Sequence, residues 1–205
     1  EVLEGIPQET SARIDEEMAT AIDGMDRSQQ LWIRELIQNA RDEIRRRRGE
    51  KRIDITSQIS PDGLFWDVTV RDPVGMSLYT IVNLLLNPEA TDKELEEALT
   101  GIFGQGFYTL FADFDEVTVR TGLGEGLYYE LSFVRNAEGR IQIRHLREFE
   151  GQFKGTEITR RKKITDERGE PLIDPDIENT FLRDDAMKYV GKIDDVDIFY
   201  HAGDR

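Results

Sequence analysis

The stretch SQQLWIRELIQNARDEIRRRRG, residues 28–49, decides how the rest of the chain is read. At about 100° per residue, Ile33, Leu36, Ile37, Ala40 and Ile44 fall on one arc, which predicts a long helix with a buried stripe. Gly49 is expected to end it. Arg34, Gln38, Arg41, Arg45 and Arg48 fall on the solvent arc. Glu35, Asn39 and Asp42 share a third arc, because positions i, i+4 and i+7 stack on one helix face. A carboxylate there can orient a water as general base. An amide oxygen there suits Mg²⁺, which takes oxygen ligands. Read alone, the three are more simply exposed polar residues of a long helix.

Upstream, residues 9–25 carry the Ile14, Met18, Ile22 ladder of an amphipathic helix, broken at Asp23-Gly24. Downstream, residues 53–59 and 64–71 alternate around Pro61-Asp62-Gly63 and predict a hairpin. Residues 77–99 read as short helices joined by a polar stretch at 87–92. Strand candidates follow at 116–121, 127–135, 140–147 and 156–161, with hairpin-like links at 122–126 and 136–139. A polar, Pro-containing loop at 164–178 leads into a helix over 177–190, closed by Gly191, and a last strand over 196–200. No repeat is visible. Helices come early and strands late. The expected class is α+β: one domain, a two-layer sandwich with a mixed, mostly antiparallel sheet and helices on one face.

The bulk properties narrow the function. With 205 residues, 38% of them apolar and 34% charged, the chain can build a core and is unlike a disordered acidic tail. A formal net charge of −15 argues against binding to a nucleic-acid backbone. It leaves room for a nucleotide, whose phosphates backbone N–H groups can hold inside an acidic protein. The basic run Arg45–Arg48 reads first as charge complementing a helix C-terminus. There is no cysteine, hence no disulfide or thiolate metal site. No apolar run reaches the roughly 20 residues of a membrane span, and cytoplasmic residence is the default expectation. The first residue is Glu1, so a piece of a longer protein is expected.

Three further elements bear on chemistry. In Asp72-Pro73-Val74-Gly75-Met76 a strand ends at a carboxylate that can accept from an amino group, or simply turns. In Gly101-Ile102-Phe103-Gly104-Gln105-Gly106-Phe107-Tyr108 glycines let the backbone approach a ligand, and the apolar run after them can start a helix that points N–H groups at an anion; the plain alternative is a loop. Gly155-Thr156 enters a strand with a hydroxyl that can reach a base through water, or has no role.

Taken together and in this order, the elements resemble the ATP-binding domain of the gyrase, heat-shock chaperone, histidine kinase and mismatch-repair (GHKL) ATPase superfamily. Residues 35–42 are similar to its Glu-Leu-x-x-Asn-Ala-x-Asp box. The later run Phe103–Tyr108, with Phe111 and residues 116–119, looks most like the heat-shock ninety chaperones. The resemblance spans roughly residues 28–161. It implies a Bergerat-type fold that binds ATP and Mg²⁺ and hydrolyses ATP slowly to drive a chaperone-like conformational cycle.

By position, the resemblance makes Glu35 the residue that activates water and Asn39 the Mg²⁺ ligand, with Asp42 close by. Asp72 would bond the adenine amino group, with Gly75 and Met76 in its turn and Thr156 helping through a water. Gly101, Gly104, Gln105, Gly106 and Phe107 would cradle the phosphates, Asn83 would line the sugar or phosphate side, and residues 77–100 would form a lid. A following domain or second subunit would complete the site, and an ATP-dependent homodimer is a further implied partner; the protein client stays unspecified. One departure stands out: the family's Asp-x-Gly-x-Gly-Met is here one residue shorter and lacks its first glycine, so the base pocket is expected to be reshaped. The alternatives are therefore a nucleotide-bound switch with little hydrolysis, or an interaction module that has lost the nucleotide.

Overall fold

The computed structural model describes residues 31–81, 110, 114–135, 141–190 and 195–203. Their elements are α1 (Leu31–Arg47), β1 (Arg52–Ile59), β2 (Phe65–Asp72), the single turn α2 (Leu78–Thr80), β3 (Glu116–Leu123), β4 (Leu127–Arg135), β5 (Ile141–Glu150), β6 (Lys154–Lys163), α3 (Pro175–Val190) and β7 (Asp197–Ala202). The expected N-terminal helix, Asn83 and the glycine-rich run 101–107 lie outside the described residues, as does most of the expected lid.

The seven strands form one sheet in the order β5-β4-β3-β6-β2-β1-β7. Every neighbouring pair is antiparallel except β1 and β7, which run parallel. The expected mixed, mostly antiparallel α+β sandwich is what the chain forms. Alternation decides which face is covered. Ile53 and Ile55 of β1, Trp66, Val68 and Val70 of β2, and Val117 and Val119 of β3 point to one face and are buried. Ile33, Leu36, Ile37, Ala40 and Ile44 of α1 are buried with them, together with Leu182 and Ala186 of α3. The opposite face is a lattice of polar pairs. Arg161 donates to both carboxylate oxygens of Asp67 at 2.8 and 2.7 Å, Arg120 bonds Glu130 at 2.8 Å, and Thr69 meets Thr159 at 2.9 Å.

Helix α1 ends one residue earlier than its sequence pattern suggests. Gly49 N–H donates to the Ile44 carbonyl at 3.1 Å and Arg48 N–H to the Arg45 carbonyl at 3.4 Å, the paired bonds of a Schellman motif. Arg48 therefore takes the left-handed position, with φ 52°, and leaves the helix. Arg41, expected on the solvent arc, is half-buried. It bonds Asp195 at 2.9 Å, and Arg45 bonds the same carboxylate, so α1 is tied to the segment that enters β7. Helix α3 docks through Asn179, whose side-chain oxygen accepts from Ser57 and, at 3.2 Å, from the Trp66 indole N–H.

Candidate functional site

The site is built where three strands end level with one another. Asp72 of β2 pairs with Thr156 of β6, and Thr156 pairs with Thr121 of β3. All three stand on the helix-covered face, by the parity of their buried neighbours. The chain leaves Asp72 through Pro73, which has no N–H, so the first amide the turn offers is that of Val74. It donates to Asp72 Oδ1 at 2.8 Å. Thr156 Oγ1 donates to the Val74 carbonyl at 2.7 Å, and its hydroxyl lies 2.9 Å from that of Thr121. Met76 N–H donates to Thr121 Oγ1 at 2.8 Å. With Thr156 donating to Val74, Thr121 accepts from Met76 N–H and has its own proton for Thr156 Oγ1 or, at 3.3 Å, for the Gly155 carbonyl. The shortened turn is thus clasped on both sides of Gly75.

Glycine makes this closeness feasible at two positions. A Cβ on Gly75 would lie 1.8 Å from the Gly122 carbonyl oxygen. Gly155, at φ +112°, has the Asp72 carbonyl oxygen 2.3 Å from where a Cβ would stand. Between them Val74 is buried, its side chain packed beside α1.

Above this platform lies a cavity of about 30 Å³ among the described residues, walled by Asn39 and Glu43 of α1 and by Asp72, Val74, Met76 and Thr156. That volume matches roughly one water, which needs polar partners of the kind these side chains supply. Burial opposes the charged form of Asp72, and the neighbouring Glu43 opposes it further. Against the help of the Val74 N–H, the Asp72 carboxyl is pushed up to about 7. The Asn39 side-chain amide nitrogen is buried and has no hydrogen-bond partner among the described residues. An unpaired buried amide carries a desolvation cost that a ligand can relieve.

The structure brings Asn39, Asp72, Met76 and Thr156 together around one space. Glu35 and Asp42 share the predicted face of α1 and are half-buried, but neither is among the residues walling the cavity. Desolvation raises the Asp42 carboxyl above its ordinary range, with Arg41 and Arg45 opposing. Gly75 faces the other side, where Asp72, Val74, Arg52, Asp54, Lys154 and others line an open cleft of about 910 Å³. The expected phosphate-side residues Asn83, Gly101, Gly104, Gln105, Gly106 and Phe107 fall outside the described residues.

Sequence reasoning missed Thr121 and Glu43. Thr121 is signalled only by parity, as a polar residue that continues the inward series Val117, Val119. Glu43 is i+4 from Asn39, so a helical projection places it on the same face.

No family model matches the chain. It is similar to curated chaperone proteins named HtpG. One from Actinobacillus pleuropneumoniae serotype 5b (strain L20) is 29% identical over 163 residues, covering 62% of this chain and 25% of the relative. Another from serotype 3 (strain JL03) of the same species matches with the same figures. The chain thus spans about a quarter of the length of the relatives it matches, and its kinship to these chaperones is a distant one.

Proposed function

We propose that the chain is a nucleotide-binding module of a chaperone-like ATPase, taking ATP with Mg²⁺. The observation that carries this reading is the meeting of a strand-end carboxyl, an in-register threonine and an unpartnered helix amide around one cavity. The ordered motifs of the sequence and the likeness to chaperone HtpG support the same class.

In this reading Asp72 accepts the amino group of the base, and Thr156 keeps the turn in place while facing the same cavity. Asn39 can present its amide oxygen as a ligand to Mg²⁺, which binds through one or two protein groups plus phosphates; bound there, the ion would offset phosphate charge. Glu35, one helical turn before Asn39, would take the proton of the attacking water. Residues 101–107 would hold phosphates through backbone N–H groups. A following domain or a second subunit would complete the site, and ATP-dependent homodimerisation belongs to the same proposal.

Calorimetric titration with Mg-ATP and with ADP tests the binding step. Binding that is lost in Asp72→Asn is expected; absence of binding by the unaltered chain sinks the reading. Phosphate release tests the chemistry: Glu35→Ala should abolish turnover while nucleotide affinity is kept. The place of Glu35 outside the cavity wall favours one second reading, a nucleotide-bound switch with little hydrolysis. Sustained, Glu35-dependent phosphate release by the chain would eliminate it.

A further inference from the structure

Arg160 is the one buried cation among the described residues, with 7% of its surface exposed. It stands on the helix-covered face of β6, in the inward series Thr156, Ile158, Arg160. An arginine keeps its charge at any ordinary pH. Burying that charge costs free energy unless other partners replace the lost water. Two such partners come from separate parts of the chain. The guanidinium carbon lies over the ring of Trp32, 4.6 Å from its centroid, within the range of a cation–π contact. Arg160 Nε donates to the Leu110 carbonyl at 3.3 Å.

Trp32 belongs to the first turn of α1 and lies one heptad before Asn39, so Trp32, Leu36, Asn39 and Glu43 follow one line along the helix. Helix α1 and strand β6 meet twice along that line. Asn39 and Thr156 wall the same cavity, with Leu36 and Ile158 beside them, and Trp32 meets Arg160. The spans agree: from Trp32 to Asn39 the helix rises about 10 Å, and from Thr156 to Arg160 the strand rises about 13 Å. The apolar stripe holds α1 down on the sheet, but apolar contact has no direction. A guanidinium over a ring, with its Nε on a carbonyl, does have one. A turn of α1 by one residue position, about 100°, would break the Trp32 contact and carry Asn39 off the cavity.

We infer that Arg160 is a positioning residue of the candidate site: by holding Trp32 it fixes the rotation of α1 that presents Asn39 to the cavity. This deepens the proposed function and rests on the reading of Asn39 as the Mg²⁺ ligand.

Calorimetry on the unaltered chain measures how far Mg²⁺ tightens ATP, as the ratio of Kd without and with the ion. Adenosine, which has no phosphate to hold the ion, serves as the control. The unaltered chain should give a ratio of at least about ten, the scale on which groups at and behind a metal ligand act. Arg160→Met keeps length and apolar bulk but loses charge and donors; its ratio should fall to about one, with adenosine affinity unchanged. Arg160→Lys, which keeps a cation over the ring, should recover part of the ratio. In an Asn39→Ala background, where the ratio is already lost, Arg160→Met should change it no further. A lower Tm in Arg160→Met with the ratio intact would reduce Arg160 to a structural role and overturn the inference. If that variant does not fold, Trp32→Leu removes the ring from the other side of the contact, with the same expected loss and the same overturning result. Failure of the unaltered chain to bind ATP or to respond to Mg²⁺, or an Asn39→Ala chain that keeps the full ratio, would overturn the proposed site itself, and this inference with it.

Discussion

Asp72 is an acid kept where charge is disfavoured, and its cost is measurable. Its folded value of about 7 stands above the ordinary 3.8, a difference worth on the order of 4 kcal/mol. The sign follows from proton counting: between about pH 4 and 7 the folded chain binds the proton and the unfolded chain does not. Stability from this residue is therefore greatest below pH 4, falls as pH rises to 7, and is level above. Asp72→Asn should remove that slope and raise stability at pH 8 by up to about 4 kcal/mol, while destroying nucleotide binding. Urea denaturation at pH 5 and 8 checks it; a slope unchanged in the variant would show that another group is responsible. Under the proposed function Asp72 trades stability for affinity, as a binding-site residue is expected to.

At the level of elements, the ends of α1 and β2 carry separable energies. Arg48 holds a left-handed conformation that glycine adopts freely. Arg48→Gly should therefore stabilise the chain by roughly 1 kcal/mol, seen as a higher Tm with binding unchanged. The clasp around Gly75 should respond in the opposite sense. Thr156→Val keeps the shape but leaves the Val74 carbonyl without its donor, at a cost of about 1–3 kcal/mol. Gly75→Ala should cost more, because its methyl would lie 1.8 Å from the Gly122 carbonyl oxygen and backbone must move. If Gly75→Ala melted at the unaltered temperature, the close packing of this turn on β3 would be refuted.

For the whole molecule, one covered sheet face and one polar face define the two layers, and the site sits at the strand ends beneath α1. The parallel edge strand β7 is bound to the rest through its pairing with β1 and through Asp195, which joins Arg41 and Arg45 of α1. The chain spans about a quarter of the length of the HtpG relatives it matches, and the proposed function has a further domain or a second subunit complete the site. Under that proposal the 205-residue chain by itself should release phosphate only slowly when saturated with Mg-ATP. A steady-state phosphate assay gives the rate, and fast turnover that does not change with protein concentration would place all catalytic groups within this chain.

The local pattern of the sequence was enough to reveal the sheet strands, the helices α1 and α3 and the covered face among the described residues. The stripe of α1 and the alternation of β1 and β2 are set by near-neighbour periodicity, which folding preserves. The Asn39, Asp72 and Thr156 motifs stood out only by their order, which resembles that of a known ATPase superfamily; each alone read more simply as a plain surface, turn or strand residue. Their convergence was not legible, because it depends on β6 pairing between β2 and β3 across more than 80 residues of chain. Nor was the selection of Glu43 over Glu35 and Asp42 as a cavity wall. A helical projection shows which residues share a face, but only the rotation of α1 against the sheet decides which part of that face meets the strand ends.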